Sequence, residues 1–322
     1  MNEPIRIELP TMYGMKSVNA YLIKTPEPTL IDCGENSDAS WKALQTALAE
    51  HELTIKDIKR IIITHAHVDH IGMAGRIVAA NDAEVWVNEY CYDWAVQKDL
   101  MWQNRMEMMS QHLSNYFPPS EEGNSFKQTL SHFFKAITSA WIDIPKERVK
   151  QFPINGALHF GGSKWEVIYA PGHTNLQTCF YQKEKKWLLA ADMLLSITPT
   201  PVLEFALEDY TKRANGLGVM LQSFEKFRAL DIEKVFPGHY ETFSNHRRLI
   251  DAQIRRIHTR KETTFELIQS GKYHFYELLE TMYANRISMP AVSMLRGYLD
   301  LLLEEARIVE KVEKNSVTYA IV

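Results

Sequence analysis

Lys59-Arg-Ile-Ile-Ile-Thr-His-Ala-His-Val-Asp-His-Ile-Gly72 is the stretch on which the reading of this chain turns. Ile61, Ile62 and Ile63 form a short β-branched run with no polar face, the pattern of a strand buried on both sides of a sheet. The run stops at Thr64, and His65, His67, Asp69 and His70 follow within six residues. Gly72 and Met73 open a helical stretch that reaches Ala80. A strand that hands nitrogen and carboxylate donors to a tight loop fixes metal geometry, because the sheet immobilises the donors. His65 and His67 are spaced to converge on one cation; Asp69 and His70 are placed to serve a second, since consecutive side chains point apart. A polar loop with surface histidines is the bland alternative, and it accounts poorly for four donors packed so closely behind a buried strand.

Upstream, Ile5 to Leu9 alternates like a half-buried strand, and Val18 to Ile23 and Thr29 to Asp32 read as the next two. Asp32 closes a buried strand, either as a capped turn or as a carboxylate that orients a ligand histidine. Ser37 or Asp38 can N-cap a helix from Ala39 to Glu50. Downstream, a strand at Glu84 to Val87 is followed by a helical insertion over about 90–150. Phe126, Leu130, Phe133, Phe134, Ile137 and Trp141 recur at helical spacing, and a Met-rich run (Met101, Trp102, Met106, Met108, Met109, Leu113, Phe117) precedes them. Such a stripe is core, or the lining of a site for an apolar acyl or aryl group. Residues 118–124 break it into a helical hairpin able to cap a cleft.

Three later strands end in single donors. Trp165 to Tyr169 runs into Pro171-Gly172-His173; Thr178 to Tyr181 and Trp187 to Ala191 read as a hairpin that ends at Asp192. A helix expected from about Thr211 to Ala229 leads to Lys234 to Phe236 and then Pro237-Gly238-His239. The repeated Pro-Gly turn lets each histidine aim back over a sheet edge. From about 246 the composition shifts to helices without ligand residues: His246 to Gly271, Tyr273 to Ala284, and a third from the cap Ser288 to about Ala306. A strand pair at Val309 to Val312 and Val317 to Ile321 completes the order of a winged-helix module, so the division is 1–245 and 246–322.

The composition of the 322 residues is that of an ordinary globular protein, and a net charge of −4 specifies no nucleic-acid or membrane partner. Cys33, Cys91 and Cys179 are an odd, sparse set with no CxxC pair, which disfavours a disulfide scaffold or a thiolate cluster. The N-terminus lacks the basic flank and apolar core of a secretory signal, and no apolar run approaches a bilayer span, so a cytoplasmic location is expected. No residue pattern decides between a monomer and a homo-oligomer.

The collected donors are His65, His67, Asp69, His70, His173, Asp192 and His239. Nitrogen with hard carboxylate oxygen suits two divalent ions, zinc first, with manganese or iron compatible with the same donors. His65, His67 and His173 make one site, Asp69, His70 and His239 the other, and Asp192 can bridge through its two oxygens. Two cations about 3.5–4 Å apart bring a shared water to ionise near neutral pH, which points to hydrolysis of an ester, thioester, amide or phosphodiester. Asp69 is also the candidate catalytic proton acceptor beside that water. Tyr240 is a candidate oxyanion donor, while His112, His132 and His159 read as surface or core.

Thr64 to His70, Asp32-Cys33-Gly34, Gly172-His173-Thr174, Ala191-Asp192 and Gly238-His239, in this order, resemble the metallo-β-lactamase-fold superfamily, on its glyoxalase II and lactamase-like-endoribonuclease side. The resemblance covers about residues 5–245 and implies a four-layer αβ/βα sandwich with a dinuclear site along one edge of its sheets. The tail is similar, in pattern only, to the winged-helix-like domain that follows the metal domain in those endoribonucleases. Asn175-Leu176-Gln177 departs from the turn many relatives carry after the histidine, and His67 stands where the oxygen-reducing di-iron branch has a carboxylate.

Three functions compete. A metal-dependent hydrolase of a small-molecule ester, thioester or lactone, with the insertion as lid, fits the apolar insertion and mild charge. An endoribonuclease cleaving single-stranded RNA is motivated by the tail and by Arg247, Arg248, Arg255, Arg256, Arg260 and Lys261; these do not form one stripe, and the tail is only weakly basic. A mononuclear iron thiol dioxygenase conflicts with the complete second donor set.

Overall fold

The isoleucine run forms β4 (Arg60–Ile62), which pairs in parallel with β3 (Thr29–Ile31) on one side and β5 (Glu84–Asn88) on the other. Its side chains alternate between two cores: Ile62 joins an apolar cluster with Phe180, Leu189 and Phe236, whereas Ile61 and Ile63 join a cluster with Leu44, Ile71 and Ile77. A strand buried on both faces needs this unbroken apolar run, and each fully buried Ile contributes roughly 1.5–3 kcal/mol of transfer free energy. The computed structural model describes residues 2–12, 15–117, 128–129, 132, 134–138, 140–197, 199, 201–313 and 316–322. The break expected at 118–124, together with Phe126, Leu130 and Phe133 of the apolar stripe, lies outside the described residues.

Around β4 a six-stranded sheet is ordered β1 (Ile5–Pro10), β2 (Ser17–Ile23), β3, β4, β5, β6 (Val149–Phe152). A five-stranded sheet is ordered β13 (Lys234–Pro237), β10 (Trp187–Ala191), β9 (Thr178–Gln182), β8 (Ser163–Tyr169), β7 (Gly156–Phe160). Tyr21, Ile31 and Ile62 of the first sheet share one apolar cluster with Trp165, Phe180 and Phe236 of the second. On the other face of the first sheet pack α1 (Asp38–Glu50), α3 (Ala74–Ala80), α4 (Tyr92–Val96) and α5 (Lys98–Tyr116). Leu188, Ala190 and Val235 of the second sheet pack against α6 (Gly216–Ala229) and α7 (His246–Gln269). Ser37 caps α1, its side chain accepting from Ser40 N at 3.1 Å.

Two local expectations change. The helix after the ligand loop starts earlier than Gly72, as α2 (Val68–Ile71) with His67 in its cap position. The helix expected from Thr211 begins only at Gly216, where Asn215 caps it through Gly218 N at 3.2 Å. Residues before it form β12 (Asp209–Arg213), paired with β11 (Phe205–Ala206). Tertiary contacts outweigh helix propensity there: the Tyr210 ring lies 4.3 Å from Phe205, and Arg213 pairs with Asp300 at 2.7 Å.

The tail consists of α7, α8 (Phe275–Tyr283), α9 (Met289–Glu304) and the antiparallel pair β14 (Ile308–Glu313) and β15 (Ser316–Ile321). Ser288 caps α9 by accepting from Ala291 N at 3.4 Å, with Pro290 in the first turn. Its apolar faces continue the cores already named: Ile250, Ile257 and Tyr298 join Leu217, Met220 and Phe224, and Phe275 stacks on Tyr116 of α5 at 4.1 Å. Gly297 of α9 lies so close to Leu217 that a Cβ there would stand 2.7 Å from the leucine Cβ. Among the described residues, no helix is long and apolar enough to cross a membrane.

Candidate metal centre

The ends of β3, β4, β8, β10 and β13 meet along one edge of the two sheets, and the segments that follow them carry the predicted donors together. Polar bonds tie these ends to each other. Thr178 N donates to Thr64 O at 2.9 Å, Asn88 Nδ2 to Leu176 O at 2.6 Å, and Asn19 Nδ2 to Pro237 O and Tyr240 O at 3.0 and 2.7 Å. Three non-glycine residues adopt left-handed backbone here: Asp32 (φ 56°), Ala191 (φ 43°) before Asp192, and Tyr240 (φ 70°) after His239. Such conformations are costly and persist where the surroundings over-determine them, commonly at functional sites. Gly172 has φ 148°, and a Cβ on it would lie 2.6 Å from Met220 Cα. A Cβ on Gly238 would fall 2.1 Å from Asp192 Oδ1, so only glycine lets β13 pass beneath that carboxylate.

The seven donors form overlapping groups. His65 Nε2 and His173 Nε2 each lie 3.0 Å from His67 Nδ1. Asp69, His70 and His239 make a second group, with His239 Nε2 3.4 Å and His70 Nε2 4.0 Å from Asp69 Oδ2. Asp192 spans both: its Oδ2 is 3.5 Å from His173 Nε2 and 3.3 Å from His239 Nε2, and its Oδ1 is 3.4 Å from His70 Nε2. A third group, His65, His70 and Asp192, links the two.

Neighbouring groups fix the ring tautomers. Thr64 Oγ1 donates to Asp32 Oδ2 at 2.8 Å, so its lone pair accepts from His65 Nδ1 at 3.0 Å and the bare nitrogen of His65 is Nε2. His70 Nδ1 donates to Asp32 Oδ2 at 2.7 Å, and His239 Nδ1 to Ser17 O at 2.5 Å. Asp32 thus takes the orienting role considered for it in the sequence. Burial, reinforced by the neighbouring imidazoles, holds the pKa of His65 and His67 well below the usual value, which leaves neutral rings with their lone pairs facing one another. Burial would also lower His70 and His239, but the charges of Asp192, Asp32 and Asp69 outweigh it, raising His70 well above the ordinary value and His239 to about 10. Burial opposes ionisation of Asp69 and Asp192, yet the facing histidines hold Asp69 at about 2 and Asp192 well below the usual range.

These residues fit divalent cations. Among the described residues, His70 Nε2 and Asp192 Oδ1 are buried without a hydrogen bond of normal geometry, a costly arrangement for polar atoms unless something else satisfies them. Converging lone pairs on neutral imidazoles repel each other, and a positive ion at their focus removes that repulsion.

The donors face a cavity of about 460 Å³. His67, Asp69, His173, Asp192 and His239 line it at one end; Trp102, Met109, Phe134 and Ile137 of the insertion and Ile197, Pro199 and Pro201 wall the rest. The Met-rich stripe is therefore both core and lining: Met101 and Met108 are buried inside, while Trp102 and Met109 reach the cavity. Thr198 and Thr200 lie outside the described residues. Tyr240 is 43% exposed and does not line the cavity.

Several lining residues carry no signal as ligands in the sequence. Met289, Pro290 and Ser293 come from the tail, and Arg105 comes from α5. Arg105 was readable as a cation in the middle of the apolar stripe, three residues after Trp102 and four before Met109. Nearby, Glu204 accepts from Thr174 Oγ1 at 2.8 Å and from Asn175 N; burial pushes its carboxyl up to about 7 despite the Arg105 charge.

With this site in place, the chain belongs to the metallo-β-lactamase superfamily, whose family model matches residues 13–239. It is a hydrolase of that superfamily. It is 26% identical over 322 residues to the probable metallo-hydrolase YqjP of Bacillus subtilis (strain 168), covering 98% of this chain and 97% of that one. Its fold matches the metallo-β-lactamase family protein TTHA1429 from Thermus thermophilus with a TM-score of 0.76 at 22% identity, over 99% of this chain and 98% of that one. A β-lactamase domain protein from Burkholderia ambifaria gives 0.74 at 20% identity, over 98% and 92%.

Proposed function

We propose that His65, His67 and His173 hold one divalent cation, that Asp69, His70 and His239 hold a second, and that Asp192 bridges them. Zinc is the expected ion, with manganese or iron suited to the same donors. When bound, such a pair supplies Lewis acidity and a water ionised near neutral pH. The chain's own residues do the remainder. Asp32 keeps His70 in the tautomer that presents Nε2, and Thr64 does the same for His65. Asp69 stays ionised at neutral pH, so the carboxylate oxygen it does not turn toward His70 and His239 would be available as a proton acceptor. The apolar walls receive an acyl or aryl group and exclude bulk water from it.

The substrate we infer is a small-molecule ester, thioester or lactone. The single observation behind this is that the donor cluster shares a cavity whose other lining is mostly Trp, Met, Phe, Ile, Leu, Val and Pro. The basic helix of the tail gives RNA less support: Arg247 donates to Arg228 O and Leu230 O, and Lys261 pairs with Glu305. The same proposal includes the four-layer αβ/βα arrangement, supported by the three apolar clusters, and a winged-helix-like tail from about 246, supported by its element order. The test is elemental analysis together with turnover of an aryl ester, an acyl thioester and a lactone beside single-stranded RNA. Two ions per chain and hydrolysis of at least one small substrate are expected. Cleavage of RNA alone, or a single iron with oxygen uptake, overturns the reading.

A further inference from the structure

Arg105 is a cation placed where cations are rarely found. It sits on the apolar face of α5, only 6% exposed, and lines the same cavity as the candidate ligands. Its Nε donates to Leu203 O at 3.2 Å, and its guanidinium lies over the Trp102 ring, 5.1 Å from the centroid. A guanidinium has five N–H donors in a rigid fork. Among the described residues, the other four make no hydrogen bond, and no carboxylate lies within ion-pair distance. Glu204, the carboxylate whose charge bears on Arg105, is committed to Thr174 and the backbone of Asn175. A second donor nearby is also open: among the described residues, Trp102 Nε1 is buried without a hydrogen bond. Removing an arginine from water without an anion is expensive, and a fork held by packing and one backbone bond is ready to receive one.

We propose that Arg105 anchors an anionic group of the substrate, so that the site takes an apolar ester, thioester or lactone that also carries a carboxylate or phosphate. The inference rests on the hydrolase reading above for placing the substrate in this cavity. It narrows that reading: neutral esters are poor substrates, and acyl compounds with a second, anionic end are good ones. The apolar walls take the body of the molecule, Arg105 takes the charged end, and the scissile bond is left at the donor cluster. This makes Arg105 a specificity residue rather than a member of the hydrolytic machinery.

The experiment uses the full-length, metal-loaded protein and isothermal calorimetry with hexanoate, hexyl phosphate and hexan-1-ol. The wild type is expected to bind at least one anion about tenfold or more tighter than the alcohol, the change that a hydrogen bond to a charged group gives. Arg105→Met is expected to lose this preference while still binding hexan-1-ol; Arg105→Lys, which keeps charge without the fork, reduces it severalfold. Thermal melts of both variants verify folding, and if the Met variant does not fold, the Lys variant carries the comparison: an anion preference unchanged in it overturns the proposal. Equal binding of anion and alcohol by the wild type overturns the proposal. So does a preference that survives unchanged in Arg105→Met, because the anion is then held at the metal centre. Metal content of the same samples separates the two failures: two ions with no anion preference refutes the anchor alone, and an Arg105-dependent preference without two ions refutes the dinuclear reading alone.

Discussion

Replacing Asp32 by Asn changes one atom at the residue that orients His70. The carboxylate accepts three buried hydrogen bonds: from Thr64 N at 2.8 Å, Thr64 Oγ1 at 2.8 Å and His70 Nδ1 at 2.7 Å. Asparagine tolerates the φ of 56° here, so backbone strain is not a factor. Its amide oxygen can keep the bond from Thr64 N. Its amide nitrogen, replacing Oδ2, is a donor that faces the hydroxyl and the imidazole. To accept from it, His70 must shift its proton from Nδ1 to Nε2, and the lone pair meant for a cation is lost. Two charge-assisted bonds of roughly 1.5–3 kcal/mol each become neutral bonds of about 1 kcal/mol, so a stability loss of about 1–4 kcal/mol is expected. Affinity for the second cation should fall roughly 10–100-fold, the usual effect of losing a partner behind a ligand histidine. Urea denaturation gives the first quantity and competition with a calibrated chelator the second. An Asp32→Asn protein that holds two ions per chain at wild-type affinity, with stability changed by less than about 0.5 kcal/mol, refutes the tautomer argument.

Glu204 makes a pH prediction. Its folded pKa of about 7 is above the ordinary 4.5, so the native state holds this proton more tightly than the unfolded chain. The contribution is fully present below the unfolded value and is lost as pH rises through about 7, at most about 3 kcal/mol at roughly 1.4 kcal/mol per pH unit. Glu204→Gln should flatten stability between pH 4.5 and 7 in denaturation curves; a wild-type slope in the variant is the contrary result. Gly238→Ala would press a methyl group against Asp192 Oδ1 and His70 Cε1. Overpacking should cost about 1–3 kcal/mol and displace the Asp192 carboxylate, seen as fewer ions per chain by elemental analysis; full occupancy would contradict this. Removing metal with a chelator should lower the unfolding midpoint in scanning calorimetry, since an ion at 100 times its dissociation constant adds about 2.7 kcal/mol. An unchanged midpoint would mean that the cluster holds none.

The candidate donors were legible because they follow apolar strands, His65 close behind one and His67, Asp69 and His70 in the cap and short helix next to it, a pattern set by local sequence. Buried strands cannot continue into His, Asp or Gly-His without reaching a sheet edge, so sequence alone puts His65, Asp192 and His239 at such edges. Asp32 was half legible: its place at a strand end was visible, its partner His70 was not. What local pattern could not carry was contact between distant segments. Asp209 to Arg213 pairs as a strand because Phe205 and Asp300 await it, and nothing within that pentapeptide says so. The apolar stripe of α5 was visible, yet its division between core and cavity depends on Leu203, Pro201 and the tail packed opposite.

Met289, Pro290 and Ser293 have a consequence for how the chain can be shortened. All seven candidate donors lie at or before His239, whereas this part of the cavity wall belongs to α9, where a Cβ on Gly297 would stand 2.7 Å from Leu217 Cβ. A chain cut before α9 would keep every donor residue and lose that wall, so trimming the tail alters the room for a substrate and leaves the ligand set written in the sequence.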